Sequence, residues 1–146
     1  MNDKPAYQFV DTNILVYAHD VSAGFKHERA KSLVRELWET QEGCLSVQVL
    51  SELYVTLTRK VARLAADEVA AQIVADLATW RCHETAAGDL LAAIQIQRRY
   101  GISLWDALVI RSASQLGCEV IWSEDLSTEQ AYAGVRVVNP FAEDGS

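Results

Sequence analysis

Short apolar segments alternate along this chain with longer segments whose apolar residues recur every three or four positions. The short segments predict β-strands, and the three-to-four spacing predicts amphipathic helices. Strands are predicted at Gln8–Val10, Cys44–Val47 (which could also begin a helix), Cys82–Thr85, Val120–Trp122 and Val135–Val138. Helices are predicted at Asn13–His19 (or a turn there), Lys26–Thr40, Gln48–Arg63, Asp67–Trp80, Gly88–Tyr100 and from Ser103 to Leu116.

Local signals set several of these boundaries. Gly101 and Gly117 each follow a helical segment, where a glycine is a good helix stop. Ser103 is placed as an N-cap for the helix that runs to Leu116. Asn139-Pro140 ends the last strand.

The alternation of strand and helix predicts the fold class. Short strands joined through helices pair in parallel and require helices on both faces of the sheet. The sequence therefore predicts a three-layer α/β/α sandwich with a short-stranded parallel sheet. At 146 residues the chain is expected to form a single domain over residues 1–146.

Charge and composition limit the function classes. Thirteen basic and twenty acidic residues give a net charge of −7, which is unusual for a protein that binds nucleic acid through a basic face. The charge suits a protein that holds cations or has a basic protein partner. No apolar run reaches the ~18 residues of a membrane span. The segment Met1–Pro5 lacks a signal-peptide pattern, so a cytoplasmic protein is expected.

Four acidic residues lie where strands end and helices begin: Asp11, Glu52, Asp106 and Asp125. Each also has a local explanation, as a turn residue, a solvated helix residue, a capping-box residue or a cap. Carboxylates that converge at one sheet edge repel, by on the order of 4 kcal/mol for a pair about 4 Å apart at an effective dielectric near 20. A proton or a hard cation such as Mg²⁺ or Mn²⁺ would relieve that repulsion.

The motifs that contain these acids resemble PIN-domain ribonucleases, and VapC-like members in particular. They are Asp11-Thr12-Asn13-Ile14-Leu15, Glu52 within Val49–Leu53, Ser103–Leu108, Ser123-Glu124-Asp125 and the ending Gly134–Phe141. The resemblance runs from about Phe9 to Phe141. It implies that Asp11, Glu52, Asp106 and Asp125 bind metal, with Thr12, Asn13 and Ser123 as the small polar residues beside them. The motif does not settle the role of Glu124.

The same resemblance implies an activity and partners. The activity would be Mg²⁺- or Mn²⁺-dependent hydrolysis of RNA phosphodiester bonds, leaving 5′-phosphate and 3′-hydroxyl ends. The protein would be the toxin of a toxin–antitoxin pair, forming a homodimer and binding a small antitoxin protein. Leu33, Leu37 and Leu57 could contribute to a partner surface, although core packing is the simpler use of each.

Candidate RNA contacts are the basic residues near helix ends, and each could equally be a solvated residue with a favourable place in the helix dipole. They are Arg59, Lys60, Arg63, Arg98 and Arg99. Trp105 could stack on a base, but its helical stripe with Val109, Ala113 and Leu116 predicts a core position.

Two other functions agree with part of this pattern. A phosphoryl-transfer enzyme or receiver would place a lysine late in the fold, whereas no lysine follows Lys60. A PIN-like module that binds RNA or protein without cleaving is the main alternative, and a magnesium-dependent cleavage assay would distinguish it.

Overall fold

Strands and helices alternate through residues 6–126 and 130–142, the part of the chain that the computed structural model describes. The strands in this part are β1 (Gln8–Val10), β2 (Gly43–Ser46), β3 (Arg81–His83), β4 (Val120–Trp122), β5 (Ala131–Tyr132) and β6 (Val135–Val138). The helices are α1 (Thr12–Ala18), α2 (Phe25–Thr40), α3 (Val47–Leu57), α4 (Asp67–Leu77), α5 (Ala87–Tyr100) and α6 (Leu104–Gln115). A short 3-10 turn, Val21–Ala23, joins α1 to α2.

The six described strands form one sheet in the order β3-β2-β1-β4-β6-β5. Strand β1 lies between β2 and β4 and is parallel to both. The chain moves outward from β1 to β2 and β3, then returns to the other side of β1 to form β4. The carboxyl ends of β1 and β4 therefore flank a topological switch point, where open α/β sheets bind ligands.

Helices cover the sheet in two groups, which confirms the predicted α/β/α architecture. Helix α1 packs against α2 and α3, α3 packs against α4, and α5 packs against α6. Right-handed crossovers place these two groups on opposite faces of the sheet. The main core contains fully buried residues of the central strands, such as Phe9, Leu45 and Ile121. A smaller cluster of Ala93, Ala107 and Leu108 joins α5 to α6.

Helix α3 ends earlier than predicted. The sequence pattern continued the helix to Arg63, whereas the helix ends at Leu57. Beyond it the chain folds back, because the backbone amides of Leu64 and Ala65 both donate to the Leu57 carbonyl, each at 3.0 Å. This turn captures the carbonyl that a continuing helix would use, and Ala62 adopts a φ of 56° within it.

The sheet is also not wholly parallel. Strand β5 was not predicted, and it pairs antiparallel with β6 through Ala131 and Arg136. Two residues are too few to show an alternating pattern, so β5 has no signal in the sequence.

Three further expectations concern surfaces and ends. Leu33, Leu37 and Leu57 are at most 2% exposed, so they pack in the core and cannot form a partner surface. No helix within the described residues is both long enough and apolar enough to cross a membrane. The ends of the predicted 1–146 domain, and the Met1–Pro5 segment, lie outside the described residues.

Candidate active site

Asp11 lies directly beyond β1 and is the most buried of the four acids, at 8% exposure. Its backbone amide continues the sheet by donating to the Trp122 carbonyl at 3.0 Å. Its side chain accepts two hydrogen bonds, from the Thr12 backbone amide at 2.8 Å and from the Ser123 hydroxyl at 2.8 Å. Asp11 is therefore also the N-cap of α1. Its carboxylate is held rigidly between the ends of β1 and β4.

The two residues that follow Asp11 connect it to the more distant acids. The Thr12 hydroxyl donates to Glu52 Oε1 at 3.4 Å, which links α1 to α3. The Asn13 side-chain amide donates to Asp125 Oδ2 at 2.8 Å, which links α1 to the loop after β4. Glu52 and Asp125 are both exposed. The predicted small polar residues thus tie three of the four acids together.

Ser123 organises the loop that carries Asp125. Ser123 is fully buried, and its hydroxyl oxygen accepts from the backbone amides of Asp125 at 3.2 Å and Leu126 at 3.4 Å. The same hydroxyl donates its proton to Asp11. Ser123 therefore fixes the position of one acid relative to the other.

Asp106 occupies the first turn of α6, as predicted. Its backbone amide donates to the Ser103 hydroxyl at 3.0 Å, so Ser103 caps the helix. The Asp106 side chain is half-buried. Its position in the cap leaves its carboxylate available for interaction with the other acids.

The electrostatics of the site centre on Asp11. Burial, together with smaller contributions from the negative charges of Asp106 and Asp125, raises the pKa of its carboxyl from the usual 3.8 to about 6. The hydrogen bonds from Ser123 and Thr12 oppose this rise. Above pH 6 the site therefore holds a buried negative charge beside two other acids, which favours a cation.

The donor set fits a hard divalent cation. It consists of carboxylate oxygens and the amide oxygen of Asn13, and oxygen ligands are the ones that Mg²⁺ and Mn²⁺ prefer. Asn13 Oδ1 is buried and has no hydrogen-bond partner among the described residues. Its orientation is fixed because the Asn13 amide nitrogen must face the Asp125 carboxylate, which can only accept. A cation would satisfy this oxygen.

The acids do not form a closed set of ligands in the conformation described. Within residues 6–126 and 130–142, no group of three or more His, Cys, Asp and Glu side chains is close enough to hold a metal ion. The exposed side chains of Glu52 and Asp125 can change rotamer at low cost, whereas Asp11 is fixed by its two hydrogen bonds.

Glu124 has a structural partner that the sequence did not reveal. Its carboxylate pairs with the Lys26 ammonium and accepts a hydrogen bond from the Tyr17 hydroxyl at 2.8 Å. Burial alone would raise the pKa of the Glu124 carboxyl. Lys26 and Tyr17 lower it by more, so the pKa lies below its usual value. The pairing directs Glu124 toward α1 and α2. Partners separated by 98 and 107 residues leave no local sequence signal.

The candidate RNA contacts belong to two separate parts of the fold, the turn after α3 and the end of α5. Arg59, Lys60 and Arg63 are exposed in the turn after α3, and Arg63 pairs with Asp67. Arg98 and Arg99 occupy the last turn of α5, the favourable place in the helix dipole that was the alternative explanation.

The core position predicted for Trp105 is wrong. Its side chain is 64% exposed, while Val109 and Ala113 of the same stripe are buried. Trp105 lies in the first turn of α6, one turn before the buried part of its own stripe, whereas Leu104 beside it packs against the Ala93–Ala107–Leu108 cluster.

Sequence comparison decides the family. The PIN domain model matches residues 8–133, which is most of the chain. The chain belongs to the PIN domain family. No curated protein matches its sequence significantly.

Solved structures share this PIN fold at low sequence identity. VapC20 of Mycobacterium tuberculosis, a sarcin–ricin loop cleaving toxin, has a TM-score of 0.62 at 21% identity, covering 81% of this chain and 89% of VapC20. A toxin–antitoxin complex from Klebsiella pneumoniae has a TM-score of 0.67 at 20% identity, covering 92% of this chain and 98% of that one. FitAcB of Neisseria gonorrhoeae has a TM-score of 0.61 at 16% identity, covering 92% and 98%. This PIN domain therefore shares its fold with the VapC20 toxin and with chains of the other two structures.

Proposed function

We propose that this PIN domain protein is an endoribonuclease that hydrolyses RNA phosphodiester bonds. Its metal would be Mg²⁺ or Mn²⁺, held by Asp11, Glu52, Asp106 and Asp125. One observation carries the proposal. The Asp11 carboxylate is buried at the switch point of the sheet, and the negative charges of Asp106 and Asp125 contribute to its raised pKa. A structural turn residue has no need of such surroundings.

The chain's own residues hold the acids in place for this chemistry. Ser123 and the Thr12 amide fix both oxygens of Asp11, and Asn13 directs Asp125. The Thr12 hydroxyl orients Glu52 from a neighbouring helix. A bound divalent ion would neutralise charge on the phosphodiester and lower the pKa of the attacking water.

Substrate binding would depend on local positive charge, since the net charge of −7 repels RNA at long range. The exposed Arg59 and Lys60 after α3, and Arg98 and Arg99 at the end of α5, are the proposed phosphate contacts. Arg63 is a weaker candidate because Asp67 already neutralises part of its charge. A cytoplasmic location would give such an enzyme access to cellular RNA.

We further propose that the protein is the toxin of a toxin–antitoxin pair and acts as a homodimer. Support comes from the shared fold with toxins that were solved in complexes. Exposed apolar side chains such as Val21 (79%) and Phe25 (64%) are available for a partner surface. The acidic site would attract a basic antitoxin segment, and an arginine could form bidentate hydrogen bonds with a carboxylate there.

Cleavage of single-stranded RNA tests the enzymatic proposal. The wild-type protein should cleave with Mg²⁺ or Mn²⁺, leave 5′-phosphate and 3′-hydroxyl ends, and lose activity in excess EDTA. Asp11→Asn and Asp106→Asn should abolish cleavage, whereas Glu39→Gln, which alters an exposed acid on α2, should not. Circular dichroism would confirm that each variant is folded.

Two outcomes would contradict the enzymatic proposal. One is wild-type turnover by Asp11→Asn or in EDTA, which would remove the acids and the metal from the reaction. The other is RNA or protein binding by the wild-type protein with no cleavage under any divalent cation, which would favour the non-cleaving alternative.

Growth tests the toxin proposal separately. Expression of the wild-type protein alone should arrest growth, and co-expression with the product of an adjacent short reading frame should restore it. Light scattering of the purified protein should give the mass of a dimer. Equal growth in both cases, with no complex recovered, would remove the toxin assignment and leave the nuclease proposal standing.

A further inference from the structure

A pocket shares Glu52 with the candidate active site, and its other lining residues have no part in the proposed chemistry. Its volume is about 400 Å³, and its lining residues are Gln48, Ser51, Glu52 and Trp105. Volumes of about 300–1,000 Å³ are typical of small-molecule sites. Glu52 also accepts a hydrogen bond from Thr12 at 3.4 Å, so the pocket adjoins the candidate active site. Anything bound in it would lie next to the acids.

One wall of the pocket is an indole with no structural role in the core. Trp105 is 64% exposed, although a tryptophan is usually well buried. Trp105 directly precedes Asp106 in the first turn of α6, so the helix holds its ring near one of the four acids. An exposed aromatic face beside a nuclease site is suited to stack on a nucleobase.

Gln48 lines the same pocket and carries an oxygen that needs a hydrogen-bond donor. The Gln48 side-chain amide donates to the Trp105 carbonyl at 3.5 Å, which directs it toward the tryptophan. Gln48 Oε1 is buried and has no hydrogen-bond partner among the described residues. Such an oxygen is destabilising while it stays unsatisfied. A rotation of the Gln48 side chain toward the pocket would let this oxygen accept from the N–H groups on the edge of a base.

The charge of the lining argues for a base and against a phosphate. Of the described residues that line the pocket, Glu52 is the one with an ionisable side chain, and none is basic. An anionic phosphate would be repelled by that carboxylate, whereas a neutral aromatic ring with N–H donors would not.

We propose that this pocket is a base-binding subsite for single-stranded RNA, next to the bond that is cleaved. Trp105 stacks on the base, and Gln48 accepts a hydrogen bond from its edge. This inference deepens the proposed function and rests on it for the identity of the substrate. It assigns to Trp105 and Gln48 a part in choosing the cleavage site.

Binding of short, fluorescently labelled single-stranded RNA to the Asp11→Asn protein, measured by anisotropy, tests the subsite without cleavage. Adding Trp105→Ala should raise Kd by about 5- to 150-fold, because base–aromatic stacking contributes about 1–3 kcal/mol per base. Trp105→Phe should restore most of the affinity. Leu91→Ala is the matched control, since Leu91 is 63% exposed on α5 and lies outside the pocket.

An abasic nucleotide placed in turn at each position identifies the base. At one position the abasic substitution should weaken binding to the parent protein but have no further effect with Trp105→Ala. At the other positions the two losses should add. Adding Gln48→Leu should reduce the difference in Kd among the four bases at that one position.

Several outcomes would overturn the proposal. One is an unchanged Kd for RNA in Trp105→Ala. Another is a loss of RNA affinity in Trp105→Ala that stays the same whichever base is removed from the RNA. A third is a loss of affinity for the antitoxin alone, which would make the pocket a protein contact. Unchanged base discrimination in Gln48→Leu would overturn the role of Gln48. RNA binding that depends on Trp105 without any cleavage would instead remove the nuclease proposal and keep the subsite.

Discussion

Replacing Asp11 with asparagine should make the protein more stable at neutral pH while abolishing its activity. Asp11 is 8% exposed, and burial raises the pKa of its carboxyl from 3.8 to about 6. A buried carboxylate is a cost to folding at neutral pH, and asparagine has nearly the same shape without the charge.

The size of the effect follows from the two pKa values. One pKa unit corresponds to about 1.4 kcal/mol, so the ionised Asp11 lowers the free energy of unfolding by about 3 kcal/mol above pH 6. Asparagine has a single oxygen and loses one of the two hydrogen bonds from Thr12 and Ser123, which costs about 1 kcal/mol. Asp11→Asn should therefore be about 2 kcal/mol more stable at pH 7.5.

The sign of the pH dependence follows from the direction of the pKa change. Because the pKa of Asp11 is higher in the folded state, the folded protein binds its proton more readily between about pH 4 and pH 6. The contribution of Asp11 to stability is thus most favourable below about pH 4 and falls as the pH rises through 6. At pH 4 the variant and the wild type should differ by less than about 1 kcal/mol.

Urea denaturation in EDTA at pH 4 and pH 7.5 measures both differences. Asp76→Asn is the control, because this acid is exposed on α4 and its loss should change stability by less than about 0.5 kcal/mol at either pH. Millimolar Mg²⁺ should stabilise the wild type, by about 2.7 kcal/mol at a hundredfold excess over Kd, and have little effect on Asp11→Asn. A variant that is less stable than the wild type at pH 7.5, or a difference that does not depend on pH, would refute the reasoning.

Three further predictions concern other parts of the structure. Lys26→Met should slow cleavage, because it frees the Glu124 carboxylate beside the acidic loop, and should change the urea midpoint little, because the ion pair that it removes is partly exposed; unchanged cleavage, or slower cleavage explained by a large fall in the urea midpoint, would contradict this. Asp89→Asn should be less stable than the wild type at pH 7, and the difference in urea midpoint should vanish as the pH falls below 3.8, since hydrogen bonds lower the pKa of this carboxyl in the folded state; a constant difference would be inconsistent with the lowered pKa. Gly43→Ala should lower the free energy of unfolding by about 1–3 kcal/mol, because an added Cβ would lie 2.4–2.9 Å from three carbons of the Trp80 ring; a neutral result would mean that the ring moves freely.

The local parts of the structure were predictable from the sequence because their causes lie within a few residues. Ser103 caps α6 through the amide three residues later, and Gly101 ends α5 with a φ of 66°. Apolar periodicity likewise identified the helices and five of the six described strands. The general location of the candidate site was also predictable. Parallel strands place their carboxyl ends at one edge of the sheet, and Asp11 and Ser123 follow two such ends.

Tertiary contacts decided what local spacing does not encode. Helix α3 ends at Leu57 because a returning turn captures its carbonyl. Glu124 is turned toward Lys26, 98 residues away, while its neighbour Asp125 is held by Asn13. Trp105 remains exposed because the buried part of its stripe begins one turn later, at Val109, which the helical period alone cannot show. Periodicity fixes which side chains share a helix face, whereas the depth of each one depends on where the helix meets the sheet.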